Sequence, residues 1–111
     1  MDAAPVIHIA ATECAPEVEA KFNRWYNEVH VPMSLKFEGM KGVTRYRLIT
    51  RTEGHPRYLS ICSFESKAAF DAYEASPERA AAFEEMSRAW QSGGFEIKWR
   101  LQYEMIKAWR K

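Results

Sequence analysis

The chain has 111 residues with 16 Lys and Arg against 15 Asp and Glu, so its formal net charge is +1, and 47% of it is hydrophobic. One domain of this size buries roughly 65% of the surface its unfolded chain exposes, and the balanced charge argues against disorder and against a nucleic-acid surface. No apolar run approaches the roughly 20 residues of a membrane-spanning helix, the start Met1-Asp2-Ala3-Ala4-Pro5 lacks the basic region of a secretory signal, and Cys14 and Cys62 are too sparse for a disulfide framework or metal knuckle; residues 1–111 therefore read as a single cytoplasmic domain with no nucleic-acid or membrane partner.

Val6 to Thr12 is β-rich and bounded by Pro5 and Pro16, which predicts a first strand. Pro16 suits the first turn of a helix, and Glu17 and Glu19 suit the positive end of its dipole. Along this helix Val18, Phe22, Trp25, Tyr26 and Val29 form one apolar stripe, with Asn23, Tyr26 and His30 along its polar edge. Pro32 disfavours helical geometry at Val31, so the helix is expected to end near His30 and leave its imidazole beside unpaired terminal carbonyls. Burial would lower the pKa of that ring and a helix C-terminus would raise it, and the sequence leaves the balance open.

Met33 to Phe37 allows one further short turn, and Gly39 and Gly42 punctuate the approach to the next strand. Val43–Thr50 and Arg57–Phe64 flank the turn Thr52–Pro56 and predict an antiparallel hairpin, with His55 in solvent. Arg45, Arg47 and Arg51 alternate along one face, where ion pairs with Glu96 and Glu104 are expected. Ser66, and Ser76 followed by Pro77, read as caps of two successive helices carrying Phe70, Tyr73, Phe83, Met86 and Trp90. Gly93-Gly94 stops them, and Phe95, Ile97, Trp99, Leu101, Tyr103 and Met105 alternate with polar residues in a long last strand. The order is βαββαβ, an α+β ferredoxin-like arrangement of four antiparallel strands with the helices on one face. Apolar residues fall on both faces of the hairpin, so a second copy covering the bare sheet face is expected, giving a homodimer.

The stretch Phe22-Asn23-Arg24-Trp25-Tyr26-Asn27-Glu28-Val29-His30-Val31-Pro32, then Gly42, Arg45-Tyr46-Arg47 and Pro56-Arg57-Tyr58-Leu59, resembles the dimeric α/β-barrel superfamily and, within it, the EthD-like branch, whose helix carries an aromatic pair, a His and then a Pro. The resemblance implies a dimer whose sheets form a barrel, with a small-molecule pocket between sheet and helices in each subunit. The superfamily includes cofactor-free monooxygenases, lactone isomerases, polyketide cyclases and haem-degrading enzymes, so fold alone does not choose the chemistry.

His30 and Tyr26 are the catalytic candidates: an imidazole titrates near neutrality, and a buried phenol needs a partner for its hydroxyl. Asn23 shares their helix edge, and Trp25 adjoins them, although an aromatic stripe at this spacing is also what a packed helix requires. His8, Tyr46, Phe70, Tyr73, Phe83 and Trp90 complete the expected substrate-binding set. No HxH, HExxH or CxxC spacing supports a metal, and no glycine-rich phosphate loop supports a nucleotide, so no cofactor is expected. The residues fit a cofactor-independent enzyme performing His/Tyr acid–base chemistry (isomerisation, cyclisation or oxygenation) on a small apolar, aromatic or lactone-like molecule. The competing readings are a non-catalytic binding or assembly module of the same fold, and a haem-binding monooxygenase with His30 as axial ligand.

Overall fold

A computed structural model describes residues 4–111. Four antiparallel strands, β1 (Val6–Cys14), β2 (Met40–Arg47), β3 (Tyr58–Phe64) and β4 (Phe95–Glu104), form one sheet in the order β2-β3-β1-β4. Helices α1 (Glu19–Trp25), α2 (Val31–Ser34), α3 (Lys67–Glu74) and α4 (Pro77–Ala89) connect them in the expected ferredoxin-like sequence of elements. Ser66 and Ser76 do cap α3 and α4, each side-chain oxygen accepting a bond from the backbone N–H three residues on, at 3.1 Å. Strand β1 runs two residues beyond Thr12, and β2 begins three residues before Val43 and ends at Arg47.

The first helical segment does not stop before Pro32. A 3-10 turn (Pro16–Val18), α1, a π-helical turn (Tyr26–His30) and α2 follow one another without interruption, and Val31 sits at φ −62°, ψ −48°. In a regular α-helix the proline ring would collide with the carbonyl four residues back, that of Glu28. The π turn relieves this: the Val31 N–H reaches five residues back to the Tyr26 carbonyl, so the coil widens just ahead of Pro32. Ser34 Oγ then donates to the His30 carbonyl at 3.1 Å. His30 is consequently an interior helical residue, with no run of free terminal carbonyls beside it.

The last strand departs from its simple alternation. Ala11 pairs with Trp99 but Thr12 pairs with Ile97, so one extra residue of β4 is accommodated at a β-bulge. Because side chains alternate with period two, the extra residue reverses the faces. Phe95 and Ile97 therefore pack under the helices beside Cys14, Phe22 and Trp90, while Trp99, Leu101 and Tyr103 pair with Ala11, Ile9 and Ile7 and point to the other side of the sheet. That outer face also carries Tyr46 opposite Leu59, and its large apolar groups remain substantially exposed, Trp99 at 39%, Leu101 at 45% and Tyr103 at 54%.

Under the helices the core divides into two clusters. One gathers Phe22, Trp25, Tyr26, Tyr58, Met86 and Trp90; the other gathers Val6, Met40, Phe64, Phe70 and Tyr73. The strand arginines do not pair with β4. Strands β2 and β4 are opposite edges of the sheet, so Arg45 bonds Asn27 Oδ1 at 2.8 Å and Glu96 takes Lys98 instead. Among the described residues no helix is long and apolar enough to cross a membrane, and both cysteines are free.

Candidate functional site

Between the two core clusters lies a cavity of about 40 Å³, enough for a few water molecules. The sheet supplies its floor with His8, Ala10, Thr12, Ser60, Cys62, Val43, Phe95, Ile97 and Arg100, and the helices supply its roof with Tyr26, His30, Val31, Ser34, Tyr73, Arg79, Phe83 and Met86. Each floor residue projects to the helix side because the strand pairings His8–Cys62, Ala10–Ser60 and Ala10–Arg100 place them in register on one face.

Four residues is slightly more than one helical turn, which sets Tyr26 and His30 one above the other; their ring centroids are 5.0 Å apart and nearly perpendicular. The His30 ring also stacks on Trp25 at 5.1 Å and meets Phe83 edge-on at 6.3 Å. Enclosed by these aromatics, its Nδ1 is buried with no hydrogen-bond partner among the described residues. Burial, with the Arg100 and Arg45 guanidiniums adding repulsion, lowers the His30 pKa to about 4. The imidazole is thus neutral at pH 7, and burial outweighs any effect of the helix carbonyls. Burial likewise pushes the Tyr26 phenol up, opposed by the Ser60 hydroxyl and by Arg45, whose guanidinium carbon lies 4.3 Å from the Tyr26 ring centroid. Tyr26 is therefore a hydrogen-bond donor and His30 an acceptor or base.

His8 lies across the sheet side of the cavity, stacked on Phe70 at 5.3 Å. Gln102 Nε2 donates to its Nδ1 at 2.9 Å, which puts the proton of the neutral ring on Nε2. Burial lowers its pKa too. Cys62 lines the cavity, but burial holds its thiol near a pKa of about 11, so it is protonated at neutral pH and is no nucleophile.

The structure thus brings His8, Tyr26, His30, Tyr73 and Phe83 to one cavity and places the other expected binding residues elsewhere. Asn23 turns away, donating to the Tyr58 hydroxyl at 3.1 Å and to the Glu19 carbonyl at 3.2 Å, within a network in which Tyr58 also donates to Glu19 and Arg57 bridges Glu19 and Glu13. Trp25 directs its indole N–H to Glu85 at 2.9 Å and backs the His30 ring without facing the cavity. Trp90 packs on Phe22 and Trp25 in the core, Phe70 stands one layer behind His8, and Tyr46 is 53% exposed on the outer sheet face. Arg79, Arg100, Thr12, Ser34 and Ser60 also line the cavity, unannounced by any sequence pattern, and make it more polar than expected. A single hydroxyl or arginine in a helix or strand carries no pattern; only the β1–β4 register brings Arg100 onto the helix side.

At about 40 Å³ the cavity is nearly closed in this structure, far below the roughly 300–1,000 Å³ of ordinary ligand pockets, so any organic ligand has to part the helices from the sheet to enter, and a tetrapyrrole would have to part them most. Among the described residues no group of three or more His, Cys, Asp or Glu side chains is placed to hold a metal ion.

The fold has clear relatives among solved structures. HapK from Hahella chejuensis superposes with a TM-score of 0.72 at 16% identity, covering 96% of this chain and 97% of its own. An ethyl tert-butyl ether degradation (EthD) family protein from Bacillus halodurans gives 0.68 at 14% identity over 91% and 99%, and a DABB family protein with a ferredoxin-like fold from Mesorhizobium loti gives 0.67 at 12% over 95% and 98%. At such identities the likeness establishes the fold, that of EthD-family and DABB ferredoxin-like proteins, and leaves the chemistry to the site. No curated protein matches the sequence. Residues 6–106 match the family described as a domain of unknown function, DUF4286, and the chain belongs to that family.

Proposed function

We propose that the protein is a cofactor-independent enzyme that moves a proton on a small, largely apolar, aromatic or lactone-like substrate, with His30 as base and Tyr26 as hydrogen-bond donor. The observation that carries this reading is the pairing of a neutral imidazole, its Nδ1 unpartnered, with a buried phenol at 5.0 Å on the wall of one cavity. His30 accepts a proton from an acidic C–H or O–H of the substrate while the Tyr26 hydroxyl donates to the substrate oxygen on which negative charge develops. An imidazole with so low a pKa is a weak base at first. The anion forming beside it raises its proton affinity, and the resulting imidazolium returns the proton to another atom, completing an isomerisation or a cyclisation. Phe83 and Tyr73 supply the apolar wall.

The reading includes a homodimer joined through the outer sheet face, supported by the exposed row of Tyr46, Trp99, Leu101 and Tyr103. It is tested by following turnover, and solvent deuterium exchange by NMR, with a panel of small enolisable lactones and phenols. Exchange that falls 10²–10⁴-fold in His30→Ala, as is typical for loss of a general base, and less in Tyr26→Phe, is the expected result. Compounds that bind but never exchange a proton would instead make the chain a binding module.

A further inference from the structure

The charged side chains that line the cavity are both arginines, Arg79 from α4 and Arg100 from β4. Both guanidinium carbons lie close to the ring of Phe83, at 4.3 Å and 4.8 Å from its centroid, and the same ring meets His30 edge-on. Arg79 is held by Glu74, Nε to Oε2 at 2.8 Å. Arg100 makes no ion pair and no side-chain hydrogen bond among the described residues, and it stands on an edge strand where the cavity meets solvent. Among the described residues no carboxylate lines the cavity. The one carboxylate that acts on Arg100, Glu74, is already paired with Arg79, so the exposed guanidinium at the rim keeps its planar fork open to a carboxylate.

We propose that Arg100, assisted by Arg79, is an anion-selecting subsite at the mouth of this cavity, and that the ligand is a small aromatic or enolisable carboxylate. This rests on the cavity being the ligand site, and it narrows the substrate from apolar molecules in general to those carrying an acid group beside the apolar body. The carboxylate sits against Arg100 at the rim, the ring packs along Phe83, and the reacting end reaches Tyr26 and His30. The arrangement has a chemical consequence. Arg100 is one of the charges that hold His30 deprotonated, so an anion that neutralises Arg100 makes His30 a stronger base once the ligand is in place.

The test uses benzoate and its neutral isostere benzamide as probes, titrated into the full-length protein while the His30 ring resonances are followed by NMR. Charge-assisted hydrogen bonds predict that benzoate binds about tenfold or more tightly than benzamide, that Arg100→Gln removes this preference by weakening benzoate far more than benzamide, and that benzoate raises the pH at which His30 titrates. Arg100→Lys should retain part of the preference. Equal binding of the two probes, or a preference that survives Arg100→Gln and Arg79→Gln together, overturns the anion subsite while leaving the cavity as a ligand site. Two probes that both leave the His30 resonances unmoved overturn the subsite and the reading of the cavity together.

Discussion

His30 is where local geometry and function meet. Its folded pKa of about 4 lies below the 6.5 of a free imidazole, so the unfolded chain binds a proton over a pH range in which the folded one does not. The stability tied to the neutral ring is complete above pH 6.5, declines as pH falls from there, and is lost at about pH 4, a change on the order of 3 kcal/mol. Thermal unfolding between pH 7 and 4 should therefore show a steeper loss of stability in the wild type than in His30→Gln, and parallel curves would show that the ring is not buried as described. In direct NMR titration the ring should remain neutral down to pH 5. Tyr26 and His30 were legible in the sequence because two polar rings at i and i+4 on the edge of an apolar stripe must share a boundary. Arg100 was not: an arginine alternating with Trp99 and Leu101 reads as a plain surface residue, and only the bulge opposite Ala11 and Thr12 shows that it stands on the helix side, at the rim of the cavity.

Among the elements, the helical rod and the strand that follows Gly93-Gly94 do most to position the site. The four strands and helices α1, α3 and α4 were legible from periodicity and caps, whereas the continuation of the helix through Pro32 and the bulge in β4 were not, and both matter. Pro32 alone announces the end of a helix; the compensating π turn at Tyr26–His30 depends on tertiary packing of Phe22, Trp25 and Tyr26 against the sheet, which no local signal reports. The bulge in β4 is equally silent, since a strict alternation of apolar residues survives it while the faces exchange. The entry to β4 is set by backbone geometry: Gly94 has φ 102°, its carbonyl accepts the Ala15 N–H at 2.8 Å, and a Cβ there would stand 3.2 Å from Val18. Gly94→Ala should cost roughly 1–2 kcal/mol, from the left-handed backbone and the crowding of Val18. Denaturant titration measures it, and an unchanged midpoint would show that this turn does not constrain the strand. Ser76→Ala, which removes the cap of α4 and so loosens the helix carrying Arg79 and Phe83, should cost about 1 kcal/mol.

On the scale of the molecule, the sheet has one face under the helices and one apolar face in the open. Its row of Trp99, Leu101 and Tyr103 continues into a C-terminal segment with Met105, Ile106 and Trp109 exposed, Ile106 fully so. A second copy packed sheet to sheet would cover that row and bury at least the roughly 1,600 Å² of a standard interface. Light scattering at micromolar concentration should give twice the 12.9 kDa chain mass, and Leu101→Asp, which places a charge at the centre of the face, should give the single-chain mass with the helix content retained. A wild-type monomer would leave the apolar face to another partner. A dimer formed through that face would leave the cavity on the opposite face of the sheet, and so would not close the mouth at Arg100. The most direct measurement of the site itself is a crystal structure with a compound from the turnover panel bound. The compound should lie between the sheet and the helical rod, touching the His30 ring, with an oxygen within hydrogen-bond reach of the Tyr26 hydroxyl. A compound bound elsewhere, with the His30 ring still packed against Trp25 and Phe83 and out of its reach, would contradict the assignment of this cavity as the reactive site.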